Sequence, residues 1–434
     1  MTQQPQPAAV GAGAEPQVVL AGAGAEPRAA AHAAQAPGPL ADLRVLDIGH
    51  ALAGPFAATL LGDFGAEVIK VERPGAGDAM RRLGPRKDGI PLWWKAAARN
   101  KKSITLDFVK PRGRELLLEL VRRSDVLVEN FRPGTLERHE LGWETLHELN
   151  PRLVMLRISG FGQTGPRSAQ PGFGRIAEAM SGSAQLTGQP DGPPTHVGYS
   201  LADTATGLTG AFGALVALLQ RVRTGEGACI DLALYESLFR LIDWQVIAHD
   251  QLGAVATRAG NAFPAVLEGV AAGVACSADG VWVSYSAATD SVLERLIGLV
   301  GGERALQDPR FIDAEARRVH VRDVEQAAVA WIAAHPFAEV ERAFQEAQAV
   351  AGRVYDVETI FADPCYQARG NLIEVDDEDF GEVRMHGVVP RLLDTPQRSH
   401  ATGPALGRHT EEVLGGILGL DAAEIEALRT EGVV

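Results

Sequence analysis

The stretch from Leu43 to Pro74, LRVLDIGHALAGPFAATLLGDFGAEVIKVERP, constrains the fold more than any other part of the chain. Two short apolar runs, Leu43–Ile48 and Val68–Val71, are each long enough for one buried strand. Between them, Gly54-Pro55 is typical of a helix start and Gly65 of a helix end. The stretch therefore predicts a strand, a helix and a second strand parallel to the first.

Polar residues follow both predicted strands. Gly49-His50-Ala51 comes after the first strand, and Glu72-Arg73-Pro74 comes after the second. In an open parallel sheet, ligands bind beyond the carboxyl ends of the strands. The stretch therefore predicts a nucleotide-like ligand next to these two segments.

Patterns along the chain predict four segments. Residues 1–40 are rich in Ala, Gly, Pro and Gln and predict a disordered tail. Residues 41–253 alternate strand and helix patterns, which predicts a large α/β domain with a Rossmann-like parallel sheet. Residues 254–392 favour a smaller α+β domain, and residues 393–434 contain two amphipathic helices, the second capped by Asp421 with Glu424 three residues later.

Composition excludes several classes of function. The 41 basic and 55 acidic residues give a net charge of −14, which disfavours nucleic-acid binding. Cys229, Cys276 and Cys365 lie far apart, so they indicate neither a zinc site nor a disulfide framework, and they fit a reducing cytoplasm. Because no apolar run approaches the roughly 18 residues of a membrane span, we expect no membrane insertion.

Four sequence blocks carry a resemblance. They are DIGHALAGPFAATLLGDFGAEVIKVERPGAGD, RNKKSITLDF at 99–108, VLVENFRPGTLERHELG at 126–142 and NPRLVMLRISGFGQTGP at 150–166. In this order they resemble the class III CoA-transferase family, which includes formyl-CoA:oxalate and carnitine CoA-transferases and alpha-methylacyl-CoA racemases. The resemblance implies acyl-CoA and a small carboxylic acid as substrates, no tightly bound cofactor or metal, and a ring-shaped chain whose C-terminal helices return to the large domain. It also implies that two such rings interlock as a homodimer.

The resemblance assigns CoA-binding positions to several polar and aromatic residues. They are His50, Ala51, Arg73, Asn100, Lys101, Lys102, Asn130, Phe131 and Arg138. A phosphorylated ligand needs such local basic groups, together with apolar surface for its adenine and pantetheine. Each residue also has an ordinary structural interpretation: solvated rim charges, a helix cap for Asn130, and core positions for Phe131 and His50.

Gly174 is a departure from the family pattern. This chain reads QPGFGRIAEAMSG in the segment where the transferases carry their nucleophilic aspartate. The position that matches the aspartate is Gly174. The racemase branch is not matched either, because its histidine falls at Phe173. Asp203 and Glu178 are the candidate substitute acids, although Asp203 is also in a typical helix N-cap position; Asp191 and Glu236 are weaker candidates.

Three hypotheses follow from the missing nucleophile. The first is a CoA-transferase that uses a substitute acid or direct attack by the acceptor carboxylate. The second is a CoA-thioester isomerase or lyase without a covalent aspartyl intermediate, and the third is a non-catalytic CoA-binding protein. Leu52 stands where the formyl-CoA enzyme has glutamine, so we expect an acid more apolar than oxalate.

Overall fold

A computed structural model describes residues 38–262, 269–395 and 400–434. Most of the predicted tail, residues 1–37, lies outside the described residues. The backbone N–H of Leu40 donates to the carbonyl oxygen of Phe64 at 3.0 Å, and the Leu40 side chain packs against the core. The fold therefore begins a few residues before the predicted boundary at residue 41.

The described residues form strands of two to six residues. They are β1 (Arg44–Asp47), β2 (Glu67–Glu72), β3 (Arg86–Lys87), β4 (Ile90–Pro91), β5 (Lys101–Thr105), β6 (Val126–Glu129), β7 (Val154–Ser159), β8 (Ala228–Ala233), β9 (Ala271–Cys276), β10 (Trp282–Ala287), β11 (Val350–Arg353), β12 (Leu372–Asp377) and β13 (Gly381–His386).

Six of these strands form a parallel sheet in the order β5-β2-β1-β6-β7-β8. Counted along the chain within that sheet, the order is 3-2-1-4-5-6, the arrangement of doubly wound nucleotide-binding folds. The strand order reverses between β1 and β6, so the carboxyl ends of these two strands flank a crevice where a ligand can bind. The predicted α/β class with a parallel sheet is confirmed.

The helices lie between and after these strands. They are α1 (Ala53–Asp63), α2 (Leu92–Ala97), α3 (Pro111–Arg122), α4 (Trp143–Leu149), α5 (Gly174–Met180), α6 (Ser183–Leu186), α7 (Leu201–Thr224), α8 (Leu234–Leu241), α9 (Trp244–Leu252), α10 (Asp290–Leu306), α11 (Ala314–Val319), α12 (Val321–Ala334), α13 (Phe337–Glu346), α14 (Val357–Ala362), α15 (Pro364–Ala368), α16 (Thr410–Leu418) and α17 (Ala422–Thr430). Short 3₁₀ helices span Ala79–Arg82 and Glu137–His139.

Helix α7 is long and apolar enough to cross a membrane by length and composition alone, contrary to the expectation from its sequence. In the fold, it packs along α1 and the sheet. A Cβ atom at Gly207 would lie 3.0 Å from the carbonyl oxygen of Ala53, and one at Gly210 would lie 2.9 Å from Leu156. These two glycines let the backbone of α7 approach the core closely, so α7 is a core helix along this face.

The remaining elements complete the fold around a second, antiparallel sheet. Strands β11, β10 and β9 pair in that order, and β12 pairs with β13 as a hairpin. The C-terminal helices lie against the parallel sheet, where Val413 and Leu428 pack with Leu46 and Ile104. The predicted capping box holds: the Asp421 carboxylate accepts the backbone N–H of Glu424, and the Glu424 carboxylate accepts that of Asp421, both at 2.8 Å. The predicted domain boundaries after residues 253 and 392 stay predictions.

Candidate active site

The reversal point of the sheet brings together residues that follow β1 and β6. The side-chain amide of Asn130 donates to the His50 carbonyl at 2.7 Å and accepts the His50 backbone N–H at 2.6 Å. The rings of His50 and Phe131 meet edge to face with centroids 5.1 Å apart. Three residues predicted from separate parts of the sequence therefore form one contiguous wall.

A buried charge network supports the loop after β1. Lys70 and Asp78 form an ion pair at 3.0 Å, and both side chains are at most 1% exposed. The Asp78 carboxylate accepts the backbone N–H of Ala51 at 3.0 Å, and the Lys70 ammonium donates to the Gly49 carbonyl. Ala51 has φ of +56°, which costs a non-glycine residue energy, so these contacts hold the loop in a conformation it would not adopt alone.

The same network influences the protonation of Lys70 and His50. Although burial disfavours its charge, the carboxylates of Asp47, Asp78 and Glu72 raise the pKa of Lys70. Burial, together with the Lys70 charge, lowers the pKa of His50. His50 is therefore neutral at physiological pH and presents an uncharged ring beside Phe131.

A cavity of about 510 Å³ opens beside this wall. Its size is within the usual range for small-molecule sites. Arg73 and Arg82 supply its positive charge, and Phe131 and Phe108 meet edge to face with centroids 6.0 Å apart. Arginines bind phosphate oxygens and aromatic rings pack on adenine or pantetheine, so the cavity suits a phosphorylated, partly apolar ligand.

Three of the predicted CoA-binding residues lie elsewhere. Lys101 is buried and paired with Asp47 at 2.8 Å, Lys102 pairs with Glu67 and Glu412 at 2.8 Å each, and Asn100 donates to Asp63 at 2.9 Å. The physical reason is strand direction. Lys101 and Lys102 begin β5, at the amino edge of the sheet, whereas the cavity lies at the carboxyl edge. The structure therefore gives these residues contacts within the fold, and none of the three lines the cavity.

Arg138 lies on the rim of the cavity, and several of the lining residues were not predicted from the sequence. The Arg138 guanidinium donates to the Thr135 hydroxyl at 3.2 Å, and Thr135 lines the cavity. Arg82, Phe108 and His139 also line it. Each follows the carboxyl end of a strand by several residues, and a search of whole connecting loops would have found them.

Gly174, Asp203 and Glu178 lie close together. Gly174 is the first residue of α5, in helical conformation, so its backbone would accept a side chain. A Cβ atom at Gly174 would lie 2.7 Å from Oδ2 of Asp203. Burial and the nearby Glu178 charge raise the pKa of Asp203 to about 6. The backbone at position 174 would therefore accept an aspartate, whereas the Asp203 side chain opposes one.

The other candidate acids have structural roles or lie apart. Glu178 is buried and pairs with His196 at 2.8 Å and Arg175 at 3.0 Å. Glu236 caps α8 by accepting the backbone N–H of Ala233 at 2.8 Å, and Asp191 is exposed on a loop. The N-cap position of α7 is Ser200, so Asp203 lies within the first turn and is not the cap.

Known proteins show the same combination of fold and sequence blocks. A family model described as CoA-transferase family III matches residues 40–410. The chain belongs to CoA-transferase family III. It is similar to succinyl-CoA–D-citramalate CoA-transferase of Chloroflexus aurantiacus, with 44% identity over 92% of this chain and 98% of the relative. It is also 35% identical to succinate–glutarate CoA-transferase of Agrobacterium fabrum, over 87% of this chain and 95% of the relative.

A solved structure extends the family III comparison to the fold. A CAIB/BAIF family protein from Brucella suis is 31% identical, with a TM-score of 0.77 over 88% of this chain and all of that chain. The resemblance seen in the sequence blocks is thus confirmed. This chain is an enzyme of the CoA-transferase family, and it moves CoA between an acyl-CoA thioester and a carboxylic acid.

Proposed function

We propose that this family III transferase moves CoA from succinyl-CoA to a short dicarboxylic acid, with the nucleotide part of CoA in the cavity at the reversal point of the sheet. The cavity between Arg73, Arg82 and Phe131 is the observation that carries the proposal. Related enzymes are named for succinyl-CoA with citramalate or malate, and for succinate with glutarate. These names supply the substrate class.

The cavity supplies two kinds of contact for CoA. Arg73 is exposed at the cavity and has no ion-pair partner within the described parts of the chain, so its guanidinium is available to a phosphate. The neutral His50 ring and Phe131 present apolar surface next to it. The thioester end of CoA then points toward the loop Gly49-His50-Ala51 and the start of α1.

The expectation from Leu52, an acid more apolar than oxalate, stays a prediction. The Leu52 side chain is 8% exposed and packs in the interior, and it is not part of the cavity wall. The names of the related enzymes favour dicarboxylic acids, and we adopt that class.

The proposal includes a homodimer, with the interlocked rings that the family resemblance implies. Helix α7 exposes a stripe of apolar side chains at positions i, i+4, i+7, i+11 and i+14, formed by Leu208, Phe212, Leu215, Leu219 and Val222. Helix α9 adds exposed Ile247 and Leu252. Contiguous apolar surface of this kind is typical of an interface. We propose that a second copy of the chain covers this apolar surface. The cysteine pattern favours a reducing cytoplasm as the compartment.

The substrate proposal is tested with purified protein and a matrix of substrates. Succinyl-CoA is mixed with malate, citramalate, glutarate or oxalate, and the CoA esters are identified by mass spectrometry. Turnover with at least one four- to five-carbon dicarboxylic acid is expected, with oxalate far slower. Oxalate turned over above all others, or no CoA ester formed with any acid, would contradict the proposal.

The binding site and the dimer have separate tests. Arg73→Ala should weaken CoA binding by about tenfold, from the loss of one charge-assisted contact. Lys102→Ala, at the opposite edge of the sheet, is the matched control and should leave CoA affinity unchanged.

Light scattering should give a dimer that Val222→Asp weakens; a monomeric parent protein at micromolar concentration would refute the dimer.

A further inference from the structure

The space where the family nucleophile would project is filled by another carboxylate. A Cβ atom built at Gly174 would be 2.7 Å from Oδ2 of Asp203, 3.4 Å from its Cγ and 3.6 Å from the Cβ of Ala202. A side chain at residue 174 and the carboxylate of Asp203 therefore compete for the same volume. The glycine allows the Asp203 carboxylate to occupy it.

Asp203 lies at the same edge of the sheet as the cavity. It is in the first turn of α7, four residues before Gly207. A Cβ atom at Gly207 would lie 3.0 Å from the carbonyl oxygen of Ala53 and 2.7 Å from Cδ1 of Phe56, both in the first turn of α1. Helix α1 begins directly after the loop that contains His50. The amino ends of α1, α5 and α7 thus converge above the carboxyl ends of the strands.

The surroundings of Asp203 distinguish it from the buried structural acids. Asp47, Asp78 and Glu129 each accept backbone N–H groups or pair with a lysine or arginine. Within residues 38–262, 269–395 and 400–434, the Asp203 carboxylate has neither a hydrogen-bond donor nor a cationic partner, although it is half-buried. A carboxylate without donors keeps its lone pairs available for attack on carbon.

Glu178 is the nearest acid and is already committed to other groups. Its carboxylate accepts from His196 Nδ1 at 2.8 Å and from Arg175 at 3.0 Å, and its side chain is 3% exposed. It also repels the charge of Asp203. Glu178 therefore helps to raise the pKa of Asp203 and pairs with the neighbouring Arg175 and His196. Of the two acids, Asp203 is the one whose carboxylate oxygens have no partner in the described residues.

We propose that Asp203 is the nucleophile of this transferase and replaces, from helix α7, the aspartate that relatives carry at the start of α5. This inference rests on the proposed transferase function. A carboxylate oxygen of Asp203 attacks the thioester carbonyl carbon, the C–S bond breaks, and CoA leaves as a thiolate, giving a mixed anhydride. The thiolate attacks the Asp203 carbonyl carbon, the anhydride C–O bond breaks, and the donor acid leaves as its carboxylate. The enzyme now carries an aspartyl-CoA thioester.

The second half of the reaction transfers CoA from Asp203 to the acceptor acid. The acceptor carboxylate attacks the aspartyl thioester and displaces CoA thiolate, giving a second mixed anhydride. The thiolate then attacks the acceptor acyl carbon, the product thioester forms, and Asp203 returns as a carboxylate. No proton, oxidant or reductant is consumed, so the cycle balances with the groups present.

Chemical trapping locates the intermediate. The parent protein is incubated with succinyl-CoA alone, treated with borohydride to reduce an aspartyl thioester to the alcohol, digested and sequenced by mass spectrometry. Modification at Asp203 is expected. Modification at Glu178, or at no residue while the parent protein still transfers CoA, would overturn the inference and leave the transferase function intact.

Variants give an independent test. Asp203→Asn should lose at least about a thousandfold in kcat while it still binds CoA, and the exposed Asp191→Asn is the control that should keep parental activity. The double variant Gly174→Asp/Asp203→Gly returns the carboxylate to the family position, and its borohydride label should move to residue 174. Full activity in folded Asp203→Asn would refute the role of Asp203. If the double variant fails to fold, the labelling of the parent protein alone decides.

Discussion

The raised pKa of Asp203 makes the free energy of unfolding depend on pH, and this can be measured without any substrate. Its pKa of about 6 in the fold, against an ordinary value of 3.8, means that the folded state disfavours the ionised form. Because the folded pKa is raised, the native protein binds the extra proton between about pH 4 and pH 6. Stability is therefore lost as pH rises through that window.

The magnitude follows from the shift. A displacement of about two pKa units corresponds to about 3 kcal/mol of unfavourable free energy above pH 6, since each unit is about 1.4 kcal/mol. Asp203→Asn removes the charge while it keeps the shape, so it should stabilise the fold by as much as about 3 kcal/mol at pH 8. At pH 4, where Asp203 is largely neutral, the gain should nearly vanish.

Urea unfolding at one protein concentration, at pH 8 and at pH 4, measures both values. The exposed Asp191→Asn serves as the control and should change stability little at either pH. An equal gain at both pH values would show that packing, and not charge, is responsible. No gain at pH 8 would refute the view that the fold holds Asp203 in a destabilised, ionised state. A variant that is more stable and inactive is the expected sign of a functional residue.

Three further predictions concern the site and its support. The kcat/KM of CoA transfer should rise with pH through about 6 and then level off, because only ionised Asp203 attacks; a flat profile from pH 5 to 8 would contradict this. Asp47→Ala should destabilise the fold by about 3–5 kcal/mol in urea unfolding, because it leaves buried Lys70 and Lys101 with one fewer carboxylate, and an unchanged midpoint would count against the network. Arg82→Ala should weaken CoA binding in isothermal titration, whereas Arg112→Ala on α3, outside the cavity wall, should not; equal loss in both would remove Arg82 from the site.

The sheet could be predicted because its signals are local. The apolar runs around Val45, Ile69 and Leu127 are buried strands, and alternation with helices is enough to indicate a parallel sheet. The ends and interruptions of the helices were harder to predict from the sequence. The sequence over residues 134–149 favours one helix, but the structure has a 3₁₀ turn followed by α4. The sequence over 235–252 also favours one helix, which the structure divides at Asp243, where φ is +39°. Such interruptions depend on tertiary packing, which a local pattern does not contain.

The candidate site was predicted where residues follow strand ends and missed where contacts cross the fold. His50, Asn130 and Phe131 could be placed together because the carboxyl ends of β1 and β6 adjoin. Lys101 carries the right charge for phosphate, but its partner Asp47 is 54 residues away in sequence, and no local pattern shows that the pair is buried. The same holds for Gly174 and Asp203, which are 29 residues apart and meet only because α5 packs on α7.

A protein that transfers CoA through Asp203 must hold CoA covalently between the donor acid and the acceptor acid. The parent protein is mixed with succinyl-CoA alone, separated from small molecules on a sizing column, and then given malate or citramalate. We expect up to one equivalent of malyl-CoA or citramalyl-CoA per chain, none from Asp203→Asn, and one succinate released per chain in the first step. A column fraction that carries no CoA and forms no product, from a protein that turns over when all substrates are mixed, would contradict covalent transfer through Asp203.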